Sequence, residues 1–436
     1  MSKKSFVRGT FILTCSGLIS RIIGFFYRIF LSHSIGAQGV GLYQLVVPLQ
    51  NIAAALTSSG IQTVLSRLIA SRTALGRHKE ARDIFCLGTA SALLFALVLS
   101  CISYRNSAFI ASRILKAPQT DSLIRILAFS FPLSALHSCI NSYYFAAKRT
   151  SIPSALQLLE QLVRVCSSYL IYLILNSKNI PVTAVIAAGG ALASELAAAL
   201  SGLLIIGTGF SSVHYSFLKV ENAKTILREI FRASLPLTLN KVLLTLLGSM
   251  EVVLIPQRLC MAGISSSDAL SIYGIFTGMA LPLVLFPSAV TNSASVMLMP
   301  SIAEMQALGR RKRIRNITAQ SCSGCMLLGT ICALFFFFSG PFIGKFLFHS
   351  ATAGTYIRTI SFICPFLYAN TALTSILHGL GKTGTCLLHN GAGILLRIAF
   401  VLFAVPHMGI RGYIYGILLS EILLSLLHIF ALYHCE

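Results

Sequence analysis

Twelve runs of roughly twenty apolar residues, most of them closed by a short polar or basic turn, succeed one another along the chain. Their approximate spans are 9–33, 40–64, 84–104, 122–147, 153–176, 181–208, 232–256, 268–299, 317–340, 356–380, 383–405 and 410–433. A helix rises about 1.5 Å per residue, so a run of that length crosses a hydrocarbon layer about 30 Å thick. The pattern therefore predicts an all-α polytopic membrane protein of about twelve transmembrane helices.

The pattern also repeats. Ile-Ala-x-x-x-Ala-Leu-Gly-Arg occupies Ile69 to Arg77 and recurs with identical internal spacing from Ile302 to Arg310. Gly190-x-x-x-Ser194-Glu195 recurs at nearly the same offset as Gly416-x-x-x-Ser420-Glu421. Pro132 and Pro365 precede Lys148 and Lys382 at similar distances and add a third echo. Concordant offsets predict two pseudo-symmetric six-helix lobes, residues 1–208 and 231–436, joined by a cytoplasmic linker at 209–230. Six spans return the chain to the side from which it started, so the lobes are parallel repeats, an arrangement used by secondary transporters.

Composition removes the soluble alternatives. Mean hydropathy is +0.81, 56% of residues are hydrophobic and 11% are charged, a balance suited to lipid as solvent. The net charge of +22 points to topology rather than to nucleic acid. With the N-terminus in the cytosol, twenty of the 34 Lys and Arg fall in cytosolic turns, nine on the opposite side and five within spans, as the positive-inside rule requires. Both termini are expected in the cytosol. Arg21 and Arg28 interrupt the first apolar run and no small-x-small site follows, so it reads as an uncleaved span rather than a signal peptide.

No motif points to covalent chemistry or to a cofactor. The twelve cysteines form no loop framework and most sit in apolar runs, so disulfides are not expected. Cys322-x-x-Cys325 has no second ligand pair, and no metal is expected there. No phosphate-binding G-x-x-x-x-G-K is present. The reading is not an enzyme, with energy supplied by a monovalent cation gradient or the membrane potential.

The informative residues are the ions that lipid should exclude. Arg21, Arg28, Arg164, Lys241 and Arg397, with Glu160, Glu195, Glu251 and Glu421, fall inside predicted spans. Each costs roughly 3 kcal/mol at the midplane if it faces lipid, so together they imply pairing or a wet central cavity. Glu160 and Arg164, four apart on one helix, read as a structural ion pair. Glu195 and Glu421 occupy equivalent repeat positions, as struts or as cavity charges, and Arg397 is set against Glu421. Arg21 and Arg28 are seven apart, close to two helical turns, and no acid shares their span. Two guanidiniums on one stripe suit the phosphate oxygens of an anionic headgroup, although Arg28 also has the option of snorkelling to the far surface. Lys241 and Glu251 lie in the seventh span, the counterpart of the first. Glu251 reads as an ion-coupling acid or as the partner of Lys241.

Several segments carry a resemblance: Ser20-RIIGFFYRIFLSHSIGAQGVGLYQLVVP-48, Leu254-IPQRL-259 and Tyr273-GIFTGMALPLVLFPSAVTNSASVMLMPSIAEMQALG-309. Through them the whole chain resembles stage V sporulation protein B-like and related polysaccharide or peptidoglycan-precursor flippases of the multidrug/oligosaccharidyl-lipid/polysaccharide exporter superfamily. The resemblance implies a MATE-like fold of two six-helix lobes that alternates between inward-open and outward-open states, with a lipid-linked sugar as cargo. It also implies a cavity role for the arginine of a first-span S-R-x-x-G-F motif, which stands here as Ser20-Arg21-Ile-Ile-Gly24-Phe25. The second arginine of those flippases follows the motif directly, and Arg28 falls one residue later. Relatives commonly extend to fourteen spans, against the twelve counted here.

The combined reading is a flippase for an undecaprenyl-pyrophosphate-linked sugar, either lipid II or a polysaccharide repeat unit, in cell-wall or spore-cortex synthesis. Arg21, Arg28 and Lys241 would seat the headgroup, and Glu251, Glu195 and Glu421 would supply ion coupling or cavity charge. Membrane lipids and cell-wall synthesis proteins are the expected partners, and nucleic acid is not. Two rivals remain. A cation-coupled multidrug antiporter of the same superfamily would need a carboxylate ion site, and the first span has no acid. A membrane scaffold without cargo would have no reason to retain unpaired cations.

Overall fold

The computed structural model describes residues 3–147, 149–211 and 223–433, which are helical almost throughout, with no strand among them. The long elements are α1 (Lys3–Ala54), α2 (Gly60–Ala74), α3 (His78–Arg105), α4 (Asp121–Ala128), α5 (Ser130–Ala146), α6 (Ser151–Ser177), α7 (Val185–Ser211) and α8 (Ala223–Met261). They continue with α9 (Ser266–Gly274), α10 (Leu281–Leu285), α11 (Ser288–Ala307), α12 (Arg311–Phe348), α13 (Ala351–Ile360), α14 (Cys364–Gly379), α15 (Thr383–Phe403) and α16 (Ile410–Tyr433). Lys148 and residues 212–222 of the expected linker lie outside the described residues.

Among the described residues, ten helices are long and apolar enough to cross a membrane, and α4 with α5, bent by 42°, passes the same test as a pair, as a broken span or a re-entrant loop. The first of the ten, Thr14–Ala74, has 61 residues, about 90 Å of helix and three times the hydrocarbon thickness. Gly36 divides it. Its φ of 66° and ψ of 178° interrupt α1 in a region that glycine enters without steric cost. With α1–α2 counted as two, the described residues make up to twelve crossings, and the chain is a multi-pass membrane protein.

The prolines act unevenly. Pro365 follows a 3-10 turn, Ser361–Ile363, and Pro282 a π-helical turn, Ile275–Ala280, local changes of helix type that accommodate a missing N–H in a membrane helix. Pro287 precedes α11. Pro236 and Pro256, by contrast, lie within α8, which is helical from end to end. The second span of each half carries a π-helical turn, at Ala55–Ser59 and at Ile275–Ala280. Hydroxyls occupy carbonyls in these turns: Thr57 Oγ1 donates to the Ala53 carbonyl at 2.8 Å, and Thr277 Oγ1 to that of Tyr273 at 2.7 Å. Lipid cannot solvate such groups, so side chains must satisfy them.

The described chain forms two compact units. One holds the residues up to Tyr27 together with Leu42–Ser249, and the other holds Arg28–Gly41 together with the residues from Met250 onward. In the first, Leu65, Ile69, Ile140, Tyr144 and Ile206 belong to one buried core. In the second, Ile302, Leu373, Leu377 and Leu432 do the same. Ile140 and Leu373, and Tyr144 and Leu377, have the same separation as the motif residues Ile69 and Ile302, while Ile206 and Leu432 have that of Gly190 and Gly416. The offsets of the sequence motifs are therefore those of the packed cores. Within the second unit, Gly41 lies against the Leu270 carbonyl, and Gly274 against that of Ala37, so closely that a Cβ on either glycine would sit 2.1 Å from that oxygen. Backbone contact of this kind is how helices associate where lipid removes the hydrophobic drive.

The Ala-Leu-Gly-Arg repeats are helix stops. At the first, the N–H groups of Leu75, Gly76 and Arg77 donate to the carbonyls of Ser71, Thr73 and Arg72. Those of Leu308, Gly309 and Arg310 donate to Glu304, Gln306 and Met305, residue for residue the same. Gly76 and Gly309 take φ of 75° and 66°, the left-handed conformation that closes a helix C-terminus. Gly309→Ala should destabilise the protein by about 1 kcal/mol, seen as a lower unfolding temperature in detergent micelles. An unchanged melt would mean that the turn does not depend on glycine.

Candidate functional site

Each unit encloses a polar cluster on corresponding helices. In the first, α6 presents Glu160, Gln161, Arg164 and Ser168 at helical spacing, which places them along one face. Arg164 donates from Nη2 to Glu160 Oε1 and, at 3.3 Å, from Nε to Ser194 Oγ on α7. Tyr27 of α1 meets Ser168 Oγ at 2.8 Å, and that hydroxyl donates at 3.1 Å to the Ile186 carbonyl. On α5, His137 Nδ1 lies 3.7 Å from Glu195 Oε2.

Gly190 explains the close approach of α6 and α7, since a Cβ there would lie 1.9 Å from Ser168 Oγ and 3.0 Å from the Arg164 carbonyl. Its echo Gly416 stands where a Cβ would lie 2.6 Å from Phe400 Cβ on α15. The Gly-x-x-x-Ser-Glu motif is thus a helix crossing followed, one turn later, by the polar pair that the crossing brings inward.

In the second unit Arg397 of α15 donates from Nε to Glu251 Oε1 of α8 at 2.8 Å, and Tyr413 of α16 donates its hydroxyl to the same oxygen at 2.7 Å. Arg397 Nη1 lies 3.9 Å from Glu421 Oε1. Asn370 of α14 donates from Nδ2 to Glu421 Oε2 at 2.8 Å and to the Glu421 carbonyl at 3.0 Å, while Ser425 Oγ donates to Asn370 Oδ1 at 2.8 Å. Glu251 and Glu421 are 5% and 8% exposed, so the hydrogen bonds take the place of water. The sequence set Arg397 against Glu421 alone. The shorter contact is to Glu251, on a helix far away in sequence.

The expected headgroup residues lie apart from these clusters. Arg21 is exposed on α1 in the first unit and makes no ion pair among the described residues. Its neighbour Ser20 has a buried hydroxyl with no partner there, an atom that water or a ligand oxygen would satisfy. Gln161 lies against Gly24, the glycine of the same motif, where a Cβ would come within 3.2 Å of Gln161 Nε2. Lys241 is exposed in the first unit and unpaired among the described residues. Arg28 belongs to the second unit, is half-buried and is engaged by its surroundings.

Glu160, Arg164, Glu195, Glu251 and Glu421 thus fall into two clusters, and Arg21 and Lys241 stand free. Sequence reasoning missed His137, Asn370 and Tyr413 as members. A signal was available for two of them, because His137 and Asn370 have the same separation as Ile69 and Ile302, as do Arg164 and Arg397. Among the described residues no group of three or more His, Cys, Asp or Glu is arranged to hold a metal ion. Cys322 and Cys325 are free thiols.

Residues 6–306 match the sequence profile of the family described as Polysaccharide biosynthesis protein. Stage V sporulation protein B of Bacillus subtilis (strain 168) is 29% identical over 441 residues, covering 98% of this chain and 83% of the relative. The structure of the lipid II flippase MurJ in an inward closed conformation superposes with a TM-score of 0.74 at 13% identity, over 97% of this chain and 87% of that one. An inward-facing multidrug resistance MATE family transporter superposes with a TM-score of 0.72 at 14% identity, over 96% and 94%.

Removing Arg397 would leave Glu251 and Glu421 buried without their cation. Arg397→Met should cost about 3–5 kcal/mol, the usual penalty for breaking a buried pair. The double change Arg397→Met with Glu251→Gln should recover part of it. Thermal unfolding of the purified variants measures both, and full additivity of the two changes would refute the coupling.

Proposed function

This chain belongs to the polysaccharide biosynthesis protein family, and on that premise we propose that it flips an undecaprenyl-pyrophosphate-linked sugar across the membrane by alternating access. It is a membrane transporter of the multidrug/oligosaccharidyl-lipid/polysaccharide exporter superfamily and not an enzyme. The cargo is a lipid II-like peptidoglycan precursor or a polysaccharide repeat unit, and both termini lie on the cytosolic side from which it is taken.

Arg21 carries the proposal. A lone guanidinium in an apolar span costs roughly 3 kcal/mol on insertion scales, and nothing among the described residues pairs it. A pyrophosphate headgroup supplies the missing negative charge in a geometry that a guanidinium fork can grip with two hydrogen bonds. The unsatisfied Ser20 hydroxyl adds a further donor or acceptor beside it. Lys241, exposed in the same unit and unpaired among the described residues, adds positive charge. The isoprenoid tail stays in lipid, so the protein needs to shelter only the polar end. The similarity to stage V sporulation protein B of Bacillus subtilis and to the lipid II flippase fold supports this cargo class and a role in cell-wall or spore-cortex synthesis.

Labelled lipid II in proteoliposomes tests the proposal. Wild type should translocate it, and Arg21→Ala should lower the rate by about tenfold or more, the loss expected when a charge-assisted hydrogen bond worth about 1.5–3 kcal/mol is removed. Arg21→Lys should retain part of the rate, because it keeps the charge and loses the fork. Efflux of cationic dyes without lipid II movement would instead identify a multidrug antiporter.

A further inference from the structure

The two polar clusters occupy equivalent positions but do not carry the same charge. His137, Arg164 and Glu195 in the first unit correspond to Asn370, Arg397 and Glu421 in the second. The first two pairs share the offset of Ile69 and Ile302, and the third that of Gly190 and Gly416. Each cluster has one further carboxylate, Glu160 in the first and Glu251 in the second. Each therefore contains two carboxylates and one guanidinium, and each needs one more positive charge to be neutral.

The first unit has a side chain able to supply it. Doubly protonated His137 would donate from Nδ1 to Glu195 Oε2, a buried oxygen that has no hydrogen bond at the present separation of 3.7 Å. Its other nitrogen, Nε2, lies 2.9 Å from the Asn141 side-chain amide, whose Oδ1 is likewise buried and unsatisfied. Turning that amide over would let Oδ1 accept from Nε2–H. A single imidazolium would thus satisfy two orphaned acceptors and neutralise the cluster.

The second unit has Asn370 at this position, and an amide cannot carry the charge. We propose that the missing positive charge is an exchangeable proton, held on Glu421, and that its uptake and release is the ion step of the transport cycle. Glu251 is the fully engaged carboxylate, because Arg397 and Tyr413 both donate to its Oε1. Glu421 receives only the neutral amide of Asn370 at hydrogen-bond distance, with Arg397 at 3.9 Å. Its Oε1, with Arg397 at ion-pair distance and no hydrogen bond among the described residues, is the oxygen that takes the proton.

Among the described residues, the titratable and charged groups facing Glu421 and Glu251, besides each other, are Arg397, Tyr413 and Tyr273. His428 lies two helical turns beyond Glu421 on α16, about 10 Å along the axis, and its ring contacts His389 instead. The donors around the two carboxylates are N–H and O–H groups, and a metal cation would need a shell of oxygens in their place.

The use of the proton rests on the transport reading, but its presence does not, so the two are measured separately. Infrared spectroscopy of the reconstituted protein should show a protonated buried carboxyl that disappears as pH is raised. The band should be lost in Glu421→Gln, which keeps the side chain's shape, and also in Asn370→His, where an imidazolium restores the balance of the first unit. Absence of the band in wild type, or its survival in both variants, would overturn the site whatever the cargo. If lipid II moves in proteoliposomes, a pH gradient should shift its steady-state distribution by about tenfold per pH unit for one proton per cycle, and Glu421→Gln should abolish that shift. Gradient-insensitive flipping by wild type would overturn the coupling. Absence of any flipping would count against the cargo assignment and leave the infrared result to decide the proton site.

Discussion

A carboxylate or guanidinium placed among apolar helices costs several kcal/mol unless it meets an opposite charge and has its remaining hydrogen bonds filled. Each half of this chain places three such groups between the helices, and much of the local architecture follows from accommodating them. Gly190 lets α6 and α7 touch so that Arg164 reaches Ser194. Tyr413 and Asn370 bring neutral donors to carboxylates that Arg397 alone cannot satisfy. Ser425 fixes which way the Asn370 amide points. Helix packing and charge neutralisation are therefore one problem here, solved by the same residues.

The repeat made a large part of this legible in the sequence. The crossings could be counted because apolar runs of about twenty residues have few other uses, and the motif offsets survived into the packed cores at Ile69 and Ile302 or Ile206 and Leu432. The Ala-Leu-Gly-Arg motif could be noticed without being understood. Its meaning as a left-handed helix stop appears only when the donors of Leu75 to Arg77 are traced to their acceptors. The pairing of Glu160 with Arg164 was readable because both lie on one helix, where spacing fixes distance.

Partners contributed by different helices were not readable in that way. Nothing local distinguishes Glu421 from Glu251 as the nearer acceptor of Arg397, because the answer depends on how α8, α15 and α16 cross. His137 and Asn370 gave no signal individually, since a lone polar residue in an apolar run is ordinary. The extended length of α1 was also hidden. The loop expected between the first two spans is helix on both sides of Gly36, and a one-residue break leaves little trace in hydropathy.

The duplication sharpens the contrast between the halves, because the same position in two copies of one scaffold can be compared directly. The first span exposes Arg21 and has no acid, while its counterpart, the seventh, turns Glu251 inward onto Arg397. An exposed cation attracts an anion from outside the protein, whereas a buried anion must be cancelled from within. The seventh span thus pairs its ion within the protein, and the first leaves Arg21 without an ion pair among the described residues. Exchanging histidine for asparagine at the position shared by His137 and Asn370 extends the same logic to a single proton. Glu195 faces a ring nitrogen that can carry a charge, whereas Glu421 faces an amide that cannot.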